Sequence, residues 1–360
     1  MKAVFFISFF LVFISCKHSQ SDQEQSSVHA LQQDKLIPSF TSETFEYFPE
    51  CSVQPKSVQF TLSREFHPEN AYLLLLASLL SEEKRPKRTI PPQLEAWGFA
   101  NSRVYNHAWW GLRLFIAEHQ DFLLVTFRGT KTLSQNISNA MFSLVDAKDF
   151  EGRVHRGFYG VYRRQKKKVL RMITEANSAR KPIVFAGHSR GGAMASLFAL
   201  AAVKNGLPVH QVYSFGQPRF GDLAFNRFVD STLDNRFFRV ENFNDITPNL
   251  PPPKEQATEI ANMVLENKPL IKEQNLAGII ENLSYSFTAG KAYYLSADGL
   301  SDKSNLGPTP ETHQSLEFWQ QFKETVEAEH IIAVIKSFRS HLNDHLPPQY
   351  ICHLENNLEN

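Results

Sequence analysis

An α/β fold, with a mostly parallel sheet covered by helices on both faces, is what this 360-residue sequence predicts. Three observations carry the prediction. Apolar runs at 183–186, 212–215 and 237–240 have the length and continuity of strands buried on both faces. A small-residue segment at 191–203 reads as a helix between the first two runs. A tight Gly187-His188-Ser189-Arg190-Gly191-Gly192 turn joins the run 183–186 to that helix. Strand, turn, helix and strand again is the order that parallel pairing needs, because parallel neighbours are joined by a crossover.

The elements follow in chain order. Met1-Lys2 supplies a positive start, and 3–14 is an apolar run too short to span a membrane, so 1–15 reads as a signal peptide. It ends in Ser15-Cys16, which resembles the lipobox of bacterial lipoproteins, where cleavage leaves the cysteine to carry lipid. Cys16 is therefore the expected lipidation site. The chain is expected to be exported and membrane-anchored at an outer membrane or cell surface, or otherwise secreted or periplasmic. Residues 16–40 are polar and read as a flexible tether. The main domain is expected over 41–353, with a tail at 354–360. Cys51 and Cys352 remain as an even pair, which permits a disulfide outside the cytoplasm.

Within the domain, 66–81 reads as a helix with proline near its start, apolar almost all round and so buried. Runs at 112–117 and 121–127, with a polar break between them, read as a strand pair. The basic run 163–168 falls in a helical segment, as a solvated face. Residues 254–289 follow three prolines and break the strand–helix rhythm. They read as an inserted helical excursion whose apolar side either packs on the core or serves as a lid or membrane contact.

Composition bounds the function. With 42% hydrophobic and 21% charged residues the chain is ordinary globular protein, and 30 phenylalanines suit one that fills a core and touches apolar material. A net charge of +1 gives no argument for nucleic acid as a partner. No His/Asp cluster stands at metal-ligand spacing, and no cofactor is implied.

Chemistry concentrates in the glycine-rich turn. A serine at a sharp strand-to-helix turn is held strained, with its hydroxyl presented at a helix N-terminus. Ser189 is thus the candidate nucleophile, and it needs a base and an acid further along the chain. Asp245 leaves the run 237–240 on a loop, at the strand edge where sites assemble. The rival, Asp222, is better explained as a turn or helix cap. For the base, His341 and His345 lie four apart in the tail, whereas His313 and His330 sit in charged, helical surroundings and read as surface residues.

From about residue 66 to 351 the chain resembles the class 3, or fungal-type, lipases of the α/β-hydrolases. The matching motifs are Phe127-Arg128-Gly129-Thr130, Val154-His155-Arg156-Gly157-Phe158, the serine turn, Phe215-Gly216-Gln217-Pro218-Arg219-Phe220-Gly221-Asp222, Asp245 with Pro248 and Leu250-Pro251-Pro252, and Asp344-His345 with Tyr350-Ile351. The resemblance implies an α/β-hydrolase fold and a triad of Ser189, Asp245 and His345, with His341 as the alternative base. It further implies an oxyanion hole from the backbone N–H groups of Thr130 and Arg190, and a structural role for the His155 segment at a helix entry. Arg190 stands where leucine is usual. The activity implied is hydrolysis of lipid acyl esters, on acylglycerols or phospholipids. Cleavage of short or non-lipid esters, and a binding protein that kept the fold without catalysis, are the competing readings.

Overall fold

The computed structural model describes residues 60–129, 143–242, 245–252, 258, 285–286, 289–296, 299–302, 345–346, 349–351 and 354. Outside them lie the signal segment, the tether, Cys16, Cys51, Cys352, Thr130, His313, His330, His341 and nearly all of the 254–289 insert.

Two helices open the described chain, α1 (Pro68–Leu80) and α2 (Pro86–Ala96), each with proline in its first turn. Fixed φ and a missing N–H cost nothing there. The strands β1 (Ala100–His107), β2 (Leu112–Glu118) and β3 (Leu123–Phe127) follow as an antiparallel meander. A short ribbon of β4 (Leu144–Asp146) and β5 (Arg153–His155) precedes α3 (Arg156–Ala176). Then come β6 (Ile183–His188), α4 (Arg190–Lys204), β7 (Val209–Phe215), α5 (Leu223–Leu233), β8 (Phe237–Asn242), β9 (Lys291–Ser296) and β10 (Gly299–Asp302). The main sheet has the order β1-β2-β3-β6-β7-β8-β9-β10, and β3, β6, β7, β8 and β9 run parallel.

Alternation along β6 shows why both faces are covered. Ile183 and Phe185 join the apolar cluster under α3, α4 and α5, while Val184 and Ala186 join the one under α1 and α2. A continuous apolar run is what such a two-sided strand requires. The runs at 112–117, 121–127, 183–186, 212–215 and 237–240 all hold strands, the second starting two residues later at Leu123 and the other four longer than the apolar residues alone indicate. Helix α1 is buried on most of its surface, in keeping with its unbroken leucines.

Several elements have no counterpart in the sequence pattern, β1, α2 and β9 among them. Strand β1 is an edge strand of largely polar residues, none of them buried, so it lacks an apolar signal. Helix α2 contains Pro91 and Pro92, which ordinarily read as breakers. Strand β9 extends the sheet only after the long 253–288 stretch, pairing with β8 from Phe238↔Lys291 to Asn242↔Leu295.

Candidate active site

Ser189 sits between β6 and α4 with φ 56° and ψ −130°, a conformation that L residues rarely adopt. Such a backbone costs about 1–3 kcal/mol and persists only where its surroundings impose it. Here its N–H donates to Phe215 O at 2.7 Å and its carbonyl accepts from Gly192 N at 2.9 Å. The turn also needs glycine at 191, where a Cβ would lie 2.3 Å from Phe127 O. Side-chain absence at that point lets α4 approach the end of β3.

Asp245 follows β8 by three residues and is buried. Its Oδ1 accepts from Thr247 N at 2.7 Å. Its Oδ2 accepts from His345 Nδ1 at 2.6 Å and from the Tyr350 hydroxyl at 2.6 Å. A carboxylate on Nδ1–H leaves the Nε2 lone pair of His345 free to accept a proton. Ser189 Oγ and His345 Nε2 are both buried, and neither has a hydrogen-bond partner among the described residues. Burial, partly opposed by Asp245, holds the His345 pKa below the usual imidazole range, so the ring is neutral at neutral pH.

The loop carrying the acid is braced by Arg219 of the Gly216–Asp222 motif. Its N–H donates to Leu250 O at 2.8 Å, and its guanidinium donates to Asn249 O at 2.6 Å and Pro251 O at 3.0 Å. Arg219 is buried, which pushes its pKa down to about 9. The base is braced from the serine turn itself, since His188 Nε2–H donates to the His345 carbonyl at 2.8 Å. Gly216 completes the arrangement. With φ 55°, a Cβ there would lie 2.7 Å from the Tyr350 hydroxyl, 2.8 Å from Asp245 Oδ2 and 2.9 Å from His345 Cε1.

The structure therefore brings Asp245 and His345 into direct contact and places His188, the neighbour of Ser189, against His345. Asp222 is occupied elsewhere. It caps α5 by accepting from Phe225 N at 2.9 Å and pairs with Arg153 Nε at 3.1 Å. Arg190 is the first residue of α4, where an N–H has no intrahelical acceptor. Its side chain leaves the turn and donates to Gly111 O at 2.8 Å and Trp110 O at 3.3 Å. His155 caps α3 through Nδ1, accepting from Gly157 N at 3.0 Å and Phe158 N at 3.4 Å. Tyr350, Gly216, Arg219 and His188 were visible in the sequence only as letters of motifs, with no role of their own. Among the described residues no group of three or more His, Cys, Asp or Glu is placed to hold a metal ion.

Residues 124–255 match the class 3 lipase family. That stretch holds Ser189, Asp245 and the Gly216–Asp222 motif, while His345 and Tyr350 fall beyond it. A Caenorhabditis elegans lipase, ZK262.3, is 29% identical over 205 residues, covering 55% of this chain and 48% of its own length. Phospholipase A1-II 4 of Oryza sativa is 30% identical over 158 residues, 36% of this chain and 40% of that one. The chain thus spans less than half the length of these curated relatives. The solved Rhizomucor miehei triacylglyceride lipase superposes with a TM-score of 0.50 at 20% identity, over 68% of this chain and 91% of that one. At that identity it speaks for the α/β-hydrolase fold alone, to which the parallel sheet and flanking helices of this chain conform.

Proposed function

We propose that this chain is a serine carboxylic ester hydrolase acting on lipid acyl esters, acylglycerols or phospholipids, through an acyl-enzyme. The observation that carries the reading is the strained Ser189 beside a buried His345–Asp245 pair whose Nε2 is left as a base. Ser189 Oγ attacks the ester carbonyl as His345 takes its proton, and Asp245 stabilises the imidazolium that forms. The backbone N–H groups of Arg190 and Thr130 bind the oxyanion. His345 then protonates the departing alcohol and activates water against the acyl-enzyme. The match of residues 124–255 to class 3 lipases and the similarity to a lipase and a phospholipase A1 favour a lipid acyl ester.

The test is hydrolysis of p-nitrophenyl esters across chain lengths. Wild type should prefer long chains, and Ser189→Ala should lose about 10⁴-fold or more in kcat, since triad members act as a unit. A short-chain preference would support the short-ester reading. A wild type inactive at every length would leave a binding protein of the same fold.

The proposed setting is a membrane surface after export, with Cys16 carrying the anchor, on the strength of the apolar 3–14 run and the Ser15-Cys16 junction. Mass spectrometry should find the mature chain beginning at an acylated Cys16. An unmodified Cys16 would remove the anchor.

A further inference from the structure

Ser189 lies at the carboxyl edge of the parallel strands, and one corner of that edge is built unlike the rest. The turn between β1 and β2, Ala108–Trp110 followed by Gly111, reaches this edge because β2 runs antiparallel to β3, with Leu114 opposite Phe127, and Phe127 pairs with Gly187. At its tip Trp109 is 84% exposed. The turn is firmly held. Arg190, next to the nucleophile, donates to the carbonyls of Gly111 and Trp110, and the Arg164 guanidinium lies 4.2 Å over the Trp110 ring. A large apolar ring is thus fixed in water beside the catalytic serine.

Cationic side chains lie on a segment tied to the strand that leaves this turn. Arg113, the second residue of β2, donates to Glu83 O at 2.7 Å, which fastens the 81–88 segment to the base of the same turn. Lys84, Arg85, Lys87 and Arg88 are all exposed, and among the described residues none of them pairs with a carboxylate. Of the nearby acids, Glu83 is exposed, and Glu82 turns toward His188, 3.8 Å from its Nδ1. In a chain whose net charge is only +1, this is a local excess of positive charge on a segment tied to the strand that follows the Trp109 turn.

We propose that Trp109 and the cationic run Lys84, Arg85, Lys87 and Arg88 form a docking surface for a lipid bilayer with anionic headgroups, presenting Ser189 to it. Indole settles at the boundary of headgroups and acyl chains, where its ring leaves water and its N–H stays wet. Lysine and arginine beside it are drawn to the negative surface potential. The choice of lipid over another polyanion rests on the ester-hydrolase reading; the surface itself rests on the geometry.

The test measures binding of the full chain to vesicles of phosphatidylcholine, with and without phosphatidylglycerol. Every chain carries Ser189→Ala and Cys16→Ser, so that neither turnover nor an N-terminal lipid contributes. Replacing Lys84, Arg85, Lys87 and Arg88 together with Gln should weaken binding to the anionic vesicles by about a hundredfold or more, leave the neutral vesicles unaffected, and lose its effect in high salt. Trp109→Ser should weaken binding to both vesicle types by about tenfold. With Ser189 restored, hydrolysis of p-nitrophenyl acetate and the melting temperature should match wild type for both variants. Variants that bind as their parent does would overturn the surface even if wild type hydrolyses esters. A parent that binds a DNA duplex but no vesicle would overturn the lipid assignment. If the parent binds as expected while wild type cleaves no ester, the docking surface stands and the hydrolase reading falls.

Discussion

Two donors converge on Asp245 Oδ2, one from His345 and one from Tyr350, each at 2.6 Å. The tyrosine hydroxyl draws on the negative charge that would otherwise act fully on the imidazolium. Tyr350→Phe should therefore do two things. Losing a hydrogen bond to a charged group costs about 1.5–3 kcal/mol of folding stability, so the melting temperature should fall by several degrees. The acid limb of the kcat/KM profile, which reports His345 in the free enzyme, should move upward because the unshielded carboxylate favours the protonated ring. In the wild type that limb should lie below the ordinary imidazole value, since burial lowers the His345 pKa. A profile of Tyr350→Phe lying on top of wild type would show that the hydroxyl only fills space. At this scale the proposed nucleophile and acid stood out from local context, a serine in a glycine-rich turn and an aspartate at a strand end. The coupling of Tyr350 to Asp245 was not, because 105 residues separate them and only the closed fold sets the distance.

Helix α3 shows how an element can be read correctly yet carry a property its sequence hides. The basic run 163–168 does fall on a helix, with Arg163, Arg164, Lys167 and Lys168 exposed and Tyr159, Tyr162, Val169 and Ile173 buried. Its cap is unusual, for His155 serves through a lone pair that protonation would remove. Burial, aided by the charge of Arg190, pushes the His155 pKa down to about 4 from 6.5. The sign follows directly. Between these values the unfolded chain binds a proton that the folded chain refuses, so stability is full above about 6.5 and falls with pH until about 4. From about pH 7 to about pH 5 the loss should be roughly 2 kcal/mol from this residue. Urea unfolding at the two pH values should show it, and His155→Asn, whose amide oxygen caps without titrating, should flatten the difference. An equal pH dependence in both proteins would mean that His155 is not the group responsible.

Over the whole molecule, what the sequence by itself determined is the part with local causes. Apolar runs continuous enough for two-sided burial gave the inner strands, and a serine in a glycine-rich link between strand and helix gave the strained turn. A proline-led, leucine-filled segment gave the buried helix α1. Asp222 followed as a cap, since that reading depends on immediate neighbours. The tertiary structure alone decided what depends on distance between remote segments. It added β1, whose polar residues find their place by pairing with β2 rather than by burial, and β9, which joins β8 across a long excursion. It turned Gly216 from a motif letter into the space in which Tyr350, Asp245 and His345 meet. It sent the Arg190 side chain away from the nucleophile to hold the turn that carries Trp109. Periodicity and propensity report on a residue's own turn or strand, whereas contacts between segments a hundred residues apart exist only once the sheet has closed and its edge has gathered them.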